Sequence, residues 1–165
     1  MPEHDLQFRE ATTVDLTALD TIRLAAFSPV FQSFRDILGD KIYSVAQAHE
    51  DAAQFELLRS MLSKGSEWTV YAAESSSEII GFVSVRLDND HSIGEIGLNA
   101  VSPECANRGV GTRMYKFAIK KMTDAGMKVA TVAAGADSSH RPALAAYRKA
   151  GFNVEIPSAW LCREL

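Results

Sequence analysis

Between Asn99 and Thr112 the chain reads Asn-Ala-Val-Ser-Pro-Glu-Cys-Ala-Asn-Arg-Gly-Val-Gly-Thr, a β-type run that turns through Gly109 and Gly111 into a helical pattern. The start of a helix presents N–H groups with no intrahelical acceptor, and the helix dipole adds partial positive charge there. Glycines let a phosphate approach the main chain without a Cβ in the way. Arg108 offers a charge-assisted contact to the same anion. The chemistry on offer is therefore anion binding, although Gly109-Val110-Gly111 alone also fits an ordinary turn. Two nucleotide loops do not fit. Thr112-Arg113 stands where a Walker-type loop needs Lys followed by Ser or Thr, and Met114 stands where a dinucleotide fingerprint needs its third glycine.

The elements that must hold this turn follow from periodicity. A short β pattern at Leu6–Arg9 leads to Thr12, which with Asp15 has the spacing of a capping box and opens a helix over about Val14–Ala26. Pro29 restarts a short helix that Gly39 ends, and Val45, Ala48, Ala52, Phe55, Leu58, Met61 and Leu62 mark a third, closed by Gly65. The period then changes. Glu67–Ala72, Glu78–Arg86 and Ile93–Val101 are rich in β-branched and aromatic residues and are joined by short polar turns, which predicts an antiparallel meander. A helix over about Thr112–Ala125 crosses to a strand at Val129–Ala133, predicted to run parallel to the one before. A loop from Gly135 to Arg141, a helix from Pro142 to about Lys149, and a final apolar strand ending at Trp160-Leu161-Cys162 complete the order β-α-α-α-β-β-β-α-β-α-β. That order predicts a mixed α/β sheet in one domain spanning residues 1–165.

A second segment, Ser139-His-Arg-Pro-Ala-Leu-Ala-Ala-Tyr-Arg-Lys-Ala-Gly-Phe152, gives the turn a partner. Together the two resemble the GCN5-related N-acetyltransferase family, most strongly from Glu67 to Phe152. The family's pyrophosphate motif, Gln/Arg-x-x-Gly-x-Gly/Ala, falls on Ala106-Asn107-Arg108-Gly109-Val110-Gly111. Ala106 departs from its first position, which removes a side chain but leaves the backbone donors. The later pattern, Asn-x-x-Ala-x-x-Leu-Tyr-x-Lys-x-Gly-Phe, is matched by Ala143, Tyr147, Lys149, Gly151 and Phe152, with His140 at the Asn position and Ala146 at the Leu position.

The resemblance implies a GNAT-type sheet whose central parallel pair, Ile93–Val101 and Val129–Ala133, splays to form a slot for acetyl-CoA as co-substrate. The edge around Asn99, Ala100 and Val101 would pair with the pantetheine amides, and the pyrophosphate would reach Arg108–Thr112. The implied acceptor is an amine, which must lose a proton before attacking the thioester because an alkyl ammonium ionises near ~10.4. Glu95 is the first candidate base, with pairing to a neighbouring cation as the alternative. Tyr147 stands at the position where the family carries the acid that protonates the departing thiolate; a half-buried packing tyrosine would read the same without the motif. His140 fits a hydrogen bond to the cofactor, a second acid or base, or a contact at a helix start. A backbone N–H near Asn99–Val101 suits an oxyanion.

Composition bounds the alternatives. In 165 residues, 17 Lys and Arg stand against 21 Asp and Glu, a net charge of -4 that argues against broad nucleic-acid binding. Arg113, Lys116, Lys120 and Lys121 share one helix and fit either the CoA 3′-phosphate or a hydrated face. Cys105 and Cys162 have no metal-ligand spacing, and His4, His49, His91 and His140 are scattered, so no metal is expected. Two reduced thiols, no leader pattern and no apolar span predict a cytoplasmic protein with no membrane partner. Cys105 lacks a base at motif spacing, which favours direct transfer over an acyl-cysteine. The apolar C-terminal strand fits an internal position or pairing in a homodimer. The runner-up is an acyl-CoA-binding sensor without catalysis.

Overall fold

The computed structural model describes residues 6–165; His4 lies outside them. Its centre is one five-stranded sheet in the order β1 (Gln7–Glu10), β2 (Trp68–Ser75), β3 (Glu78–Asp88), β4 (Ile93–Val101) and β5 (Val129–Val132). The first four strands pair antiparallel, and β5 joins β4 in parallel, as predicted for the α/β mixed sheet. Helix α1 (Leu16–Ala46) and helix α2 (Ala48–Met61) cover one face; α3 (Val110–Asp124) and α4 (Arg141–Ala150) cover the other. Both faces are thus buried, which is why β2 and β3 read as nearly continuous apolar runs. Val70, Ala72 and Phe82 meet Leu19 and Leu58 on the first face. Tyr71, Val83 and Val85 meet Met114, Ala118 and Met122 on the second.

Asp15 opens α1 much as the sequence suggests. Its Oδ2 accepts from the Thr12 N–H at 2.8 Å, while Arg9 grips both carboxylate oxygens at 2.9 Å. The Arg9 hydrogen bonds lower the Asp15 pKa to about 2, against the opposing effect of burial. The next two predicted helices differ from observation. α1 runs straight through Pro29, which was expected to open a new helix, and breaks its dihedral pattern only at Gly39, with φ 72° and ψ 158°. Proline fits either at a first turn or inside a helix that gives up one hydrogen bond, here the one to the Ala25 carbonyl. A left-handed φ has no such second reading, so the break at Gly39 was legible.

The last predicted strand is absent. After α4 ends at Gly151, residues 152–165 have no regular secondary structure. Val154 and Leu161 are each 88% exposed. An apolar run reports what a segment would bury, but a strand also needs a partner edge to satisfy its backbone. Phe152 turns back, packing edge-on to Tyr147 with ring centroids 5.9 Å apart, and Glu155 and Glu164 pair with Arg148 and Lys41.

β4 carries the feature that shapes the site. It pairs with β5 only from Ile93 to Ile96, so from Gly97 onward that edge separates from its neighbour. At the same place the register against β3 slips by one residue: Ile96 faces Val85, yet Asn99 faces Val83. The bulge accommodates an extra residue, and the Ser84 hydroxyl donates to the Leu98 carbonyl across it at 2.9 Å. Gly97 is sterically required here, because a Cβ would lie 2.4 Å from the Trp68 ring. With Ile96 packed on the α3 side, normal alternation would send Asn99 to the α1 face; the bulge returns it to α3 and α4.

Candidate active site

The open half of β4, the start of α3, α4 and residues 25–30 of α1 enclose a cleft of about 850 Å³. One end of it is built by the predicted glycine turn. Asn107 and Gly109 both take left-handed conformations, φ 60° and 78°, which fold the chain back so that α3 starts facing the cleft. No side chain caps this helix, leaving the first N–H groups, at Val110, Gly111 and Thr112, for an outside acceptor. A Cβ on Gly111 would meet Ala146 at 3.6 Å, an ordinary contact, so the protein interior does not demand this glycine.

The structure gathers most of the sequence candidates here. Asn99, Ala100, Val101, Ala106, Asn107, Gly109, Val110, Gly111, Thr112, His140 and Tyr147 all line the cleft. Arg108 is exposed and does not. Glu95 does not either: it lies on the paired half of β4, 37% exposed, with its carboxylate bound to Arg86 on β3. Two of the α3 cations are also spoken for. Lys120 binds Asp124 at 2.7 Å, and Lys121 lies over the rings of Tyr71 and Phe117. Cys105 lines the cleft as a free thiol with no hydrogen-bonded base.

The polar centre is a triad that sequence reasoning only half found. The Tyr115 hydroxyl donates to Asn99 Oδ1 at 2.8 Å, and Asn99 Nδ2 donates to the Tyr147 oxygen at 3.0 Å and to the Gly97 carbonyl at 2.8 Å. The two phenol rings lie 4.4 Å apart. Tyr115 fixes which way the Asn99 amide points; Asn99 then fills an acceptor position on Tyr147, whose own O–H reaches back to Asn99 Oδ1 at a longer 3.3 Å. Burial raises the pKa of both phenols, Tyr115 strongly, while the hydrogen bonds from Asn99 and Tyr115 partly offset the rise at Tyr147. Tyr147, only 5% exposed, is therefore protonated at neutral pH and able to give its proton away. Tyr115 was missed. Its signal was present: it follows Gly111 by one helical turn and so faces the same way.

At the other end of the cleft His140 Nδ1 lies 2.5 Å from Asp137 Oδ1. Asp137 Oδ2 accepts from Ser33 Oγ on α1 at 2.7 Å, from the Ser139 N–H at 3.1 Å, and from the Ser139 hydroxyl. Burial works against ionisation of this carboxylate, but the hydrogen bonds from Ser139, Ser33 and His140 outweigh it and hold its pKa well below the usual range. Phe34 stacks on the His140 ring with centroids 5.9 Å apart. Among the described residues no group of three or more His, Cys, Asp or Glu is positioned to hold a metal, and no helix is long and apolar enough to cross a membrane.

Solved structures share this architecture. An aminoglycoside acetyltransferase from an uncultured soil metagenomic sample, in complex with sisomicin, superimposes with a TM-score of 0.62 at 18% identity, over 100% of this chain and 99% of that one. The PaiA N-acetyltransferase of Thermoplasma acidophilum, in complex with coenzyme A, gives 0.64 at 17% identity, covering 93% and 92%. The ribosomal-protein-S18-alanine N-acetyltransferase of Escherichia coli gives 0.62 at 14%, covering 92% and 79%. At such identities the likeness is one of fold. No curated protein sequence matches. The acetyltransferase (GNAT) family model matches residues 31–152, the stretch that contains the open half of β4, the anion turn and Tyr147, and the chain belongs to that family.

Proposed function

We propose that the protein moves an acetyl group from acetyl-CoA to a primary amine of a small molecule or peptide, by direct attack within a ternary complex. The observation that carries this reading is the position of Tyr147. It lines the cleft beside the bulge where β4 leaves β5, on the same wall as an uncapped helix start, and its O–H makes only a long 3.3 Å contact to Asn99 Oδ1 that a thiolate can displace. In this reading the CoA pyrophosphate sits on the N–H groups of Val110, Gly111 and Thr112. Pantetheine lies along the unpaired edge from Gly97 to Val101, adding its amides as another strand would. The amine nitrogen forms a bond to the thioester carbonyl carbon. The C–S bond then breaks with its electron pair on sulfur, which takes the Tyr147 proton. Asn99 stabilises the phenolate left behind by donating to its oxygen. The missing side chain at Ala106 and the outward position of Arg108 leave the diphosphate to main-chain donors and the helix dipole.

Two departures from the family's pattern, Ala106 and His140, are also what an acyl-CoA sensor without turnover would tolerate. Thiol release from acetyl-CoA across a panel of primary amines separates the two. Release that rises with amine concentration supports transfer. Tight binding of acetyl-CoA with no amine-dependent release from any member supports the sensor.

A further inference from the structure

Transfer from an ammonium acceptor needs a group that removes a proton, and Tyr147, which must deliver one, cannot arrive in both states. Glu95 is engaged by Arg86 outside the cleft. We infer, resting on the acetyl-transfer reading, that His140 is the base that deprotonates the incoming amine and that Asp137 and Ser33 are its positioning residues. The argument is one of hydrogen bookkeeping. Asp137 is a carboxylate that already accepts from Ser33 and twice from Ser139, and an ionised carboxylate has no hydrogen to give. The hydrogen between Asp137 Oδ1 and His140 Nδ1 must therefore belong to the imidazole. In the neutral ring that leaves Nε2 bare, with its lone pair available. Among the described residues Nε2 finds no hydrogen-bond partner, and it is not sealed from solvent, while the ring, 18% exposed, lines the cleft.

The surroundings leave Asp137 as the only charged group in contact with this ring among the described residues. From α1 come the Phe34 face and, through Asp137, Ser33; Arg35 turns to the Tyr43 ring at 4.8 Å, and Asp36 accepts from Gln32. From the loop before α4 come Gly135 and Ser139, and Arg141 follows in sequence with its side chain exposed. Ser33 and Asp137 also bind α1 to the start of α4, 104 positions apart in sequence, so the base is held by both walls of the cleft.

The step balances simply. Nε2 takes one proton from the ammonium, the freed lone pair forms the C–N bond, and sulfur leaves with the Tyr147 proton. The second nitrogen proton returns to the Tyr147 oxygen through water, and His140 releases its proton to solvent. The net products are the amide, CoA thiol and one proton.

The test has two arms. Nitrogen-15 NMR of the folded wild-type protein reads the His140 tautomer directly; hydrogen on Nδ1 with bare Nε2 is expected, and hydrogen on Nε2 overturns the assignment whatever the activity. In the second arm His140→Gln lowers kcat/KM for the amine by roughly 10²–10⁴-fold, abolishes the acid limb of its pH profile and leaves the acetyl-CoA KM nearly unchanged. Asp137→Asn gives a smaller loss with the Nδ1 preference weakened. An acid limb retained in His140→Gln, or a loss confined to the acetyl-CoA KM, overturns the base assignment. Wild-type protein that binds acetyl-CoA yet transfers to no amine overturns the transfer reading itself, a result the tautomer arm keeps distinct from a wrong base.

Discussion

The two halves of β4 have the same covalent backbone and opposite fates. From Ile93 to Ile96 the strand is paired on both edges, packs Gly94 against Met122, and directs its one carboxylate, Glu95, to Arg86. From Gly97 to Val101 one edge is open, the register has slipped, and the one polar side chain, Asn99, binds two tyrosines. The second half lines the cleft because unpaired backbone and a shifted alternation put main-chain donors and the Tyr147 phenol on one cavity. Lying on the central strand is not enough; the separation of β4 from β5 decides which of its residues can meet a ligand.

The largest expected effect comes from the open half's acid. Tyr147→Phe keeps the ring packing and removes only the hydroxyl, so turnover should fall by roughly 10²–10⁴-fold, nearer the lower end because a thiol with a pKa near ~8.5 is already a fair leaving group. The sign of the pH dependence follows from the protonated phenol being the active form. Rate is lost as pH rises through the Tyr147 pKa, which burial places above the ordinary phenol value. That basic limb should be missing in Tyr147→Phe, and identical profiles in the two proteins would remove Tyr147 from the mechanism.

Gly111→Val comes next, placing a branched side chain where the diphosphate approaches while the interior has room for a Cβ. Affinity for CoA, read by calorimetry on protein with an unchanged melting temperature, should weaken by about 1–3 kcal/mol. Unchanged affinity moves the phosphate site to another loop. Asn99→Ala removes the amide that orients Tyr147, worth about 1 kcal/mol or somewhat less than tenfold in kcat, with little change in the acetyl-CoA KM. Smallest of all is Glu95→Gln on the closed half. An exposed ion pair contributes about 0–1 kcal/mol to stability, so turnover should stay within about twofold and the basic limb should be untouched. A hundredfold loss there would erase the distinction between the halves.

Legibility in the sequence followed the same line. The meander, the parallel crossover and the glycine turn into α3 were readable because periodicity, a breaking glycine and a helix start each act over a few neighbouring residues. Tyr147 was singled out by the resemblance, whose motif places a tyrosine before Gly151 and Phe152; spacing alone allows a packing tyrosine. For Glu95 both a base and a partner of a neighbouring cation were open, and its pairing with Arg86 depends on a cross-strand register no local pattern specifies. Tyr115 was passed over because a tyrosine on an apolar helical stripe looks like packing until its hydroxyl is seen on Asn99. Pro29 inside α1 and the coil after Gly151 share a cause: a proline suits a first turn or a helix interior, and an apolar run suits a strand or a coil, so neither local pattern selects one outcome.

A crystal structure of the protein with CoA tests the central claim most directly. The account predicts the diphosphate on the N–H groups of Val110, Gly111 and Thr112, pantetheine bonded to the β4 edge between Gly97 and Val101, and sulfur within hydrogen-bond reach of the Tyr147 hydroxyl. Pantetheine against another face of the sheet, or sulfur turned away from Tyr147 with the diphosphate elsewhere, would contradict it.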